Sequence, residues 1–168
     1  MALPNLIDPR KLALQGMQLE GQVSSESLTR LASAVSSIEG PLEACIQFEV
    51  DEAGAKYAHG NLSIIVETTC QRCLDKLRLP LQATFAAEII WSEDQADNVA
   101  ADRDPWLVGD KMASLIELLE DEILLALPLV NYHDVGKCTG DTFYSKEEFE
   151  EEALVSDNPF AVLQQLKS

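Results

Sequence analysis

Apolar residues recur along this chain with two different periods, and each change of period marks an element. Asp8 and Pro9 read as the cap and first-turn residue of a short helix running through Leu14. MQLEGQV then alternates Met17, Leu19, Gly21 and Val23, which predicts a short strand. In SSESLTRLASAVSSIEG the spacing turns helical. Leu28, Leu31, Ala32 and Val35 form one face, with serines ahead and Gly40 as the stop signal.

From Pro41 the period returns to two. Leu42, Ala44, Ile46, Phe48 and Val50 face one way up to the turn DEAG. A second strand carries Leu62, Ile64, Val66 and Thr68 into Cys70, and a third places Leu77 through Trp91 on odd positions. The order predicts an antiparallel meander with CQRC at a hairpin bend. SEDQADNVAADRDP reads as a loop. A helix is expected from about Asp110 to Leu127, stopped by Pro128. Its stripe of Met112, Leu115, Ile116, Leu119, Ile123, Ala126 and Leu127 should lie across the sheet.

Beyond Cys138 the pattern fades. DTFYSKEEFEEEALVSD holds seven carboxylates and one lysine, too little apolar surface to offset ordering, and is expected to be mobile. NPFAVLQQLK follows, with Phe160, Val162, Leu163 and Leu166 able to form one face of a short helix. The expected organisation is an α+β domain over 1–138, an acidic flexible linker over 139–157 and a C-terminal motif over 158–168. The domain is an antiparallel β-meander packed against a long helix, with a short N-terminal helix before it and a mobile acidic tail after it.

Charge changes the picture. Against 29 acidic residues stand 12 basic ones, for a net charge of −17. That field repels a phosphate backbone and attracts basic proteins, so it disfavours sequence-independent nucleic-acid binding. No apolar run approaches the roughly 20 residues that a membrane-spanning helix needs. The N-terminus MALPNLIDPRKLALQG lacks a basic segment followed by an apolar one. The chain therefore reads as cytoplasmic, where four cysteines serve as thiols or metal ligands rather than as a disulfide framework.

The candidate chemistry lies at the hairpin. A Cys-x-x-C pair at such a bend can point both thiolates at one ion while backbone amides behind them donate to sulfur. Two further ligands are available in HDVGKC, so Cys70, Cys73, His133 and Cys138 would form a Cys3His structural zinc set. The bland alternative is four unrelated residues. Cys45 shares its strand face with Glu43, Gln47 and Glu49 and reads as an ordinary small residue; His59 reads as a surface histidine. Arg72, Lys76 and Arg78 flank the bend, either as solvated charges, as cations offsetting an anionic zinc centre, or as a contact for RNA or another partner. Thiol redox chemistry is the rival, but a redox Cys-x-x-C belongs at a helix N-terminus, and here strand alternation resumes at once.

Glu117, Glu120 and Asp121 are spaced to share one face of the long helix, opposite the apolar stripe, and read as a solvated surface rather than a metal or acid–base site. No Gly-rich phosphate loop and no nucleophile elbow occurs, so no enzymatic activity is expected.

Five segments in register resemble one family: DPRKLA, CQRCL, EDEILLALP, the His-x4-Cys after it and NPFAVLQQLK. They occur in that order in the YceD-like proteins, the bacterial and plastid factors named for large ribosomal RNA subunit accumulation. The resemblance spans nearly the whole chain. It implies a cytoplasmic, non-enzymatic role in accumulation or processing of 23S ribosomal RNA during large-subunit assembly. It also implies a gene neighbouring that of a small basic large-subunit ribosomal protein. Cys70 and Cys73 take the family's Cys-x-x-C positions, and Asn158, Pro159 and Phe160 its C-terminal motif. An acidic protein in that setting is better suited to hold a basic ribosomal protein than bare RNA. The tail could wrap such a partner, with Phe160, Val162 and Leu163 docking in a groove or packing back on the domain.

Overall fold

The computed structural model describes residues 1–109, 111–134 and 136–139. In chain order its elements are β1 (Leu6–Ile7), α1 (Pro9–Gln15), β2 (Gln18–Val23), α2 (Thr29–Ala34), β3 (Ser37–Val50), β4 (Lys56–Thr69), β5 (Lys76–Ile90), β6 (Asp104–Leu107), β7 (Ala113–Ser114) and α3 (Leu115–Leu125). Strands β2 to β6 form a five-stranded sheet in sequence order, and β1 pairs with β7 in a two-stranded one. The first four strands of the large sheet are an antiparallel meander, and β6 joins β5 in parallel.

Period-two alternation decides which face closes. Leu42, Ala44, Ile46 and Phe48 of β3 are buried together with Ala58, Leu62, Ile64 and Val66 of β4 and Leu81, Phe85, Ala87 and Ile89 of β5. Helix α1 lies against β3 and β4, and α3 against β4 and β5, on this apolar face. The other face carries Glu43, Cys45, Gln47, Asn61, Ser63, Gln82 and Thr84, and it stays open as a shallow trough.

Four expectations need correction. The helix expected from Asp110 is only 11 residues long, starting at Leu115. Ser114 is its cap, its hydroxyl accepting from the Glu117 N–H at 3.3 Å, and Ala113 and Ser114 are drawn into pairing with β1. Met112 precedes the helix and is half exposed. The helix expected across SSESLTRLASAVSSIEG breaks into one 3-10 turn, Ser25–Ser27, and the six residues of α2. The Ser36 N–H then donates to the Glu67 carbonyl at 2.8 Å and turns the chain into β3. Gly40 does not stop a helix. It sits inside β3 at φ 80°, where the register shifts between Glu39 and Glu43, a bulge that only glycine adopts freely.

Third, the loop expected after β5 contains a 3-10 helix, Glu93–Asn98, and the start of β6. The acidic segment and the motif 158–168 lie outside the described residues.

The Glu117, Glu120 and Asp121 face is not simply solvated. Glu120 is 3% exposed, and its carboxylate accepts from the backbone N–H groups of Arg30 (2.8 Å) and Leu31 (3.0 Å) and from Arg30 Nε (3.0 Å). Leu28, at the N-cap of α2, has no side chain that can cap. Glu120 does it from another helix, placing a carboxylate on the free N–H groups and positive dipole of that terminus. Arg30 also pairs with Asp121 and donates to the Glu117 carbonyl, and both carboxylates raise its pKa.

Candidate metal centre

The hairpin between β4 and β5 is closed by its own backbone. The Leu74 N–H donates to the Cys70 carbonyl at 2.9 Å and the Cys70 N–H to the Asp75 carbonyl at 2.9 Å. This tight turn forces Leu74 to φ 64°, the one positive φ at a non-glycine among the described residues. After α3, Pro128 ends helical continuation and the chain returns to this bend. Asn131 fixes it there, its carbonyl accepting from the Gln71 N–H at 2.8 Å and its Nδ2 donating to Thr68 Oγ1 at 3.4 Å. The Thr139 hydroxyl donates to Asp75 at 2.9 Å.

These contacts bring four side chains to one point. One ligand atom from each of Cys70, Cys73, His133 and Cys138 lies within 4.8 Å of every other. Cys70 Sγ and Cys138 Sγ are 3.9 Å apart, and Cys73 Sγ is 3.3 Å from His133 Nδ1. With zinc–sulfur bonds of about 2.3 Å, the edge of a sulfur tetrahedron is about 3.8 Å. The donor set and its spacing therefore fit one tetrahedral ion. The other ring nitrogen of His133, Nε2, lies 3.1 Å from the Lys76 carbonyl. A proton held there leaves Nδ1 free as the ligand, the arrangement that orients a metal-binding imidazole.

Electrostatics at the bend favour a thiolate. Burial opposes ionisation of Cys70, but backbone N–H groups of Cys73, Arg72 and His133 and the Cys73 thiol donate toward its sulfur and lower its pKa to about 6. Burial likewise disfavours charge on His133; the neighbouring thiols and the Lys76 carbonyl outweigh it and raise its pKa. Among the described residues, Cys70, Leu77 and Cys138, with Cys73 packed on them, form a small buried cluster apart from the main core.

The sequence profile described as "Large ribosomal RNA subunit accumulation protein YceD" matches residues 58–167, a span that includes all four cluster residues. The chain belongs to the YceD family. A Haemophilus influenzae protein named "Large ribosomal RNA subunit accumulation protein YceD" is 31% identical over 169 residues, covering 98% of this chain and 96% of that protein. No solved structure matches.

In this YceD-family chain the three hairpin cations are engaged internally. Lys76 Nζ is 2.9 Å from Glu67, Arg78 Nε is 2.7 Å from Glu39, and the Arg72 guanidinium stacks over the Tyr132 ring at 5.0 Å. Cys45 lies away from the cluster on the open sheet face, its sulfur accepting from Gln18 Nε2 at 3.2 Å. His59 is half exposed, stacked on Tyr57 and 3.7 Å from the Glu49 carboxylate. Asn158, Pro159, Phe160, Val162 and Leu163 lie outside the described residues. No helix among the described residues is long and apolar enough to cross a membrane.

Sequence reading missed the residues that hold the tip. Asn131 and Tyr132 carry no motif, and the local signal is only their position between Pro128 and His133. It also missed Arg103, drawn from the expected loop onto the Tyr57 ring (3.9 Å) between Asp51 (2.8 Å) and Glu88 (3.4 Å).

Proposed function

We propose that this chain is a non-catalytic assembly factor that supports accumulation of 23S ribosomal RNA. In this reading it acts by holding a basic protein of the large ribosomal subunit. Family membership supports the process. The observation that carries the binding mode is charge. Lys76 and Arg78, the cations that would make the hairpin an RNA contact, are paired with Glu67 and Glu39, inside a chain of net charge −17. Exposed pairs of this kind add little stability, but they cancel the surplus positive charge a phosphate backbone would need. A basic protein meets the opposite field, which speeds its encounter and favours its capture. The acidic segment 139–157 suits wrapping such a partner, with Asn158, Pro159, Phe160, Val162 and Leu163 as its docking motif.

In the same reading, Cys70, Cys73, His133 and Cys138 hold one structural zinc ion. Zinc would cross-link the end of the α3 loop to the β4–β5 hairpin and leave no open coordination position. Redox exchange through Cys70 is disfavoured, because that thiol is fully buried and out of reach of a second disulfide.

The test is to capture the chain from cells at modest ionic strength and record native mass spectra. The expected complex is chain plus one zinc ion plus a small basic large-subunit protein, identified by its mass. A metal-free chain carrying RNA would overturn the reading. In that case Lys76→Glu with Arg78→Glu would abolish RNA association while leaving any protein partner bound.

A further inference from the structure

Strand β5 is an edge for most of its length. β4 pairs with it from Lys76 to Glu88, whereas β6 covers only Ala87–Ile90 on the other side. The direction of its backbone groups can be read at both ends. The Ile90 carbonyl accepts from Val108 N–H at 2.8 Å on the β6 side, and the Lys76 carbonyl faces His133. Asp75, one residue before, points the other way, toward Cys70. Register with β4 is unbroken from Thr69↔Lys76 to Tyr57↔Glu88, so even-numbered residues between these ends aim their N–H and C=O groups outward. Pro80 fits this parity, since its missing N–H falls on the side without a ladder.

Natural sheets blunt such edges with charge, proline or a covering segment. The first part of this edge has Arg78 and Pro80. The second part has neither: LQATFAA, residues 81–87, contains no charged residue and no proline. Among the described residues, the outward backbone groups of Gln82 and Thr84 have no strand beside them. Where the free edge meets β6, Asp102 and Asp104 line a hollow with Thr84, Ala86 and Arg103; Arg103 is committed to Asp51 and Glu88, and neither Asp102 nor Asp104 forms an ion pair among the described residues. Beyond Asp104 stands Glu122, whose pKa is raised by burial and then by Asp104 and Asp121, so negative charge gathers at this end of the edge even though Asp121 is paired with Arg30.

We propose that an extended segment of a basic polypeptide adds as a strand along Leu81–Ala86 of β5, with a lysine or arginine of that segment reaching Asp102 and Asp104. This rests on the reading of the chain as a holder of a basic protein, and it names the surface used. A nucleic acid cannot supply the alternating N–H and C=O ladder this edge requires. A strand can, and ladder bonds bind without demanding particular side chains on the partner.

The test uses the full chain and the basic protein that it retains from the salt-extracted proteins of purified large subunits. Amide exchange is expected to be fast at Gln82 and Thr84 in the free chain and slowed in the complex. Gln82→Pro and Thr84→Pro remove outward donors at positions equivalent to Pro80, so the melting temperature should stay near wild type while affinity falls about tenfold. If the wild-type chain retains no basic protein, the functional reading and this inference fall together. If it does and exchange at Gln82 and Thr84 is unchanged, only the inference falls. Protection already present in the free chain would also overturn it: the edge is then covered by residues 140–168 if that protection is independent of concentration, or by a second copy if it is not. Should the proline variants fail to fold, exchange in the unsubstituted complex still decides.

Discussion

The two ends of the β4–β5 hairpin are held by different physics. Along most of its length the hairpin is one side of a continuous core in which Phe48, Ile46, Val66, Leu115, Leu119 and Ile123 are fully buried. Burial of each such side chain contributes about 1.5–3 kcal/mol. At the CQRC tip the buried cluster shrinks to Cys70, Leu77 and Cys138 with Cys73 against them. That is too little apolar surface to order a loop arriving from beyond α3, and Leu74 adds backbone strain. Where burial runs out, the sequence supplies three thiols and an imidazole around one point. The core is expected to stand by itself, whereas the proposed zinc reading makes the tip depend on an ion.

Substitutions should separate the two regions. Phe48→Ala, in the centre of the core, should cost about 3–5 kcal/mol of global stability, measured by chemical denaturation. Glu120→Ala removes the carboxylate that caps α2 and should cost about 1–3 kcal/mol, with Glu120→Gln retaining part of it. Cys70→Ser should behave in the opposite way. Zinc stoichiometry should fall from one to near zero by native mass spectrometry, while far-UV circular dichroism keeps the sheet signal and proteolysis opens only the tip. Leu74→Gly relieves a left-handed leucine and should stabilise the zinc-bound tip by about 1 kcal/mol, read as slower zinc loss to a chelator.

The smallest effect should be at Asp51, on the core side. Arg103 donates to its carboxylate and, against the opposing effect of burial, holds its pKa below the ordinary 3.8. A depressed pKa contributes stability above the unfolded value and loses it as pH falls through the folded one. The native chain should therefore lose this contribution only below about pH 4, and Asp51→Asn should flatten that part of the acid-unfolding curve. An unchanged curve would remove Asp51 from the account.

The same contrast explains what the sequence disclosed. β3, β4 and β5 were legible because one buried face imposes period two over long runs, and the gathering of Cys70, Cys73, His133 and Cys138 because a Cys-x-x-C bend and a His-x4-Cys segment are patterns recognisable by residue type and spacing. What stayed hidden depends on distant partners. Glu120 looked solvated because its donors, Arg30 and Leu31, lie on another helix about 90 residues away in sequence. The start of α3 was misjudged because Ala113 and Ser114 pair with β1 near the N-terminus. β6 was missed because Asp104–Leu107 is four residues long and its pattern does not alternate cleanly. Pro80, in the middle of β5, was a local signal of the free edge, since an interior strand rarely accepts proline.

The most direct test of this two-region account is residue-resolved amide exchange of the full chain with one equivalent of zinc and again after chelation. The account predicts that chelation releases protection at residues 70–76 and 131–134 and leaves Leu62, Ile64, Phe85 and Leu119 protected. Unchanged exchange at the tip, or unfolding of the whole sheet with the metal, would contradict it.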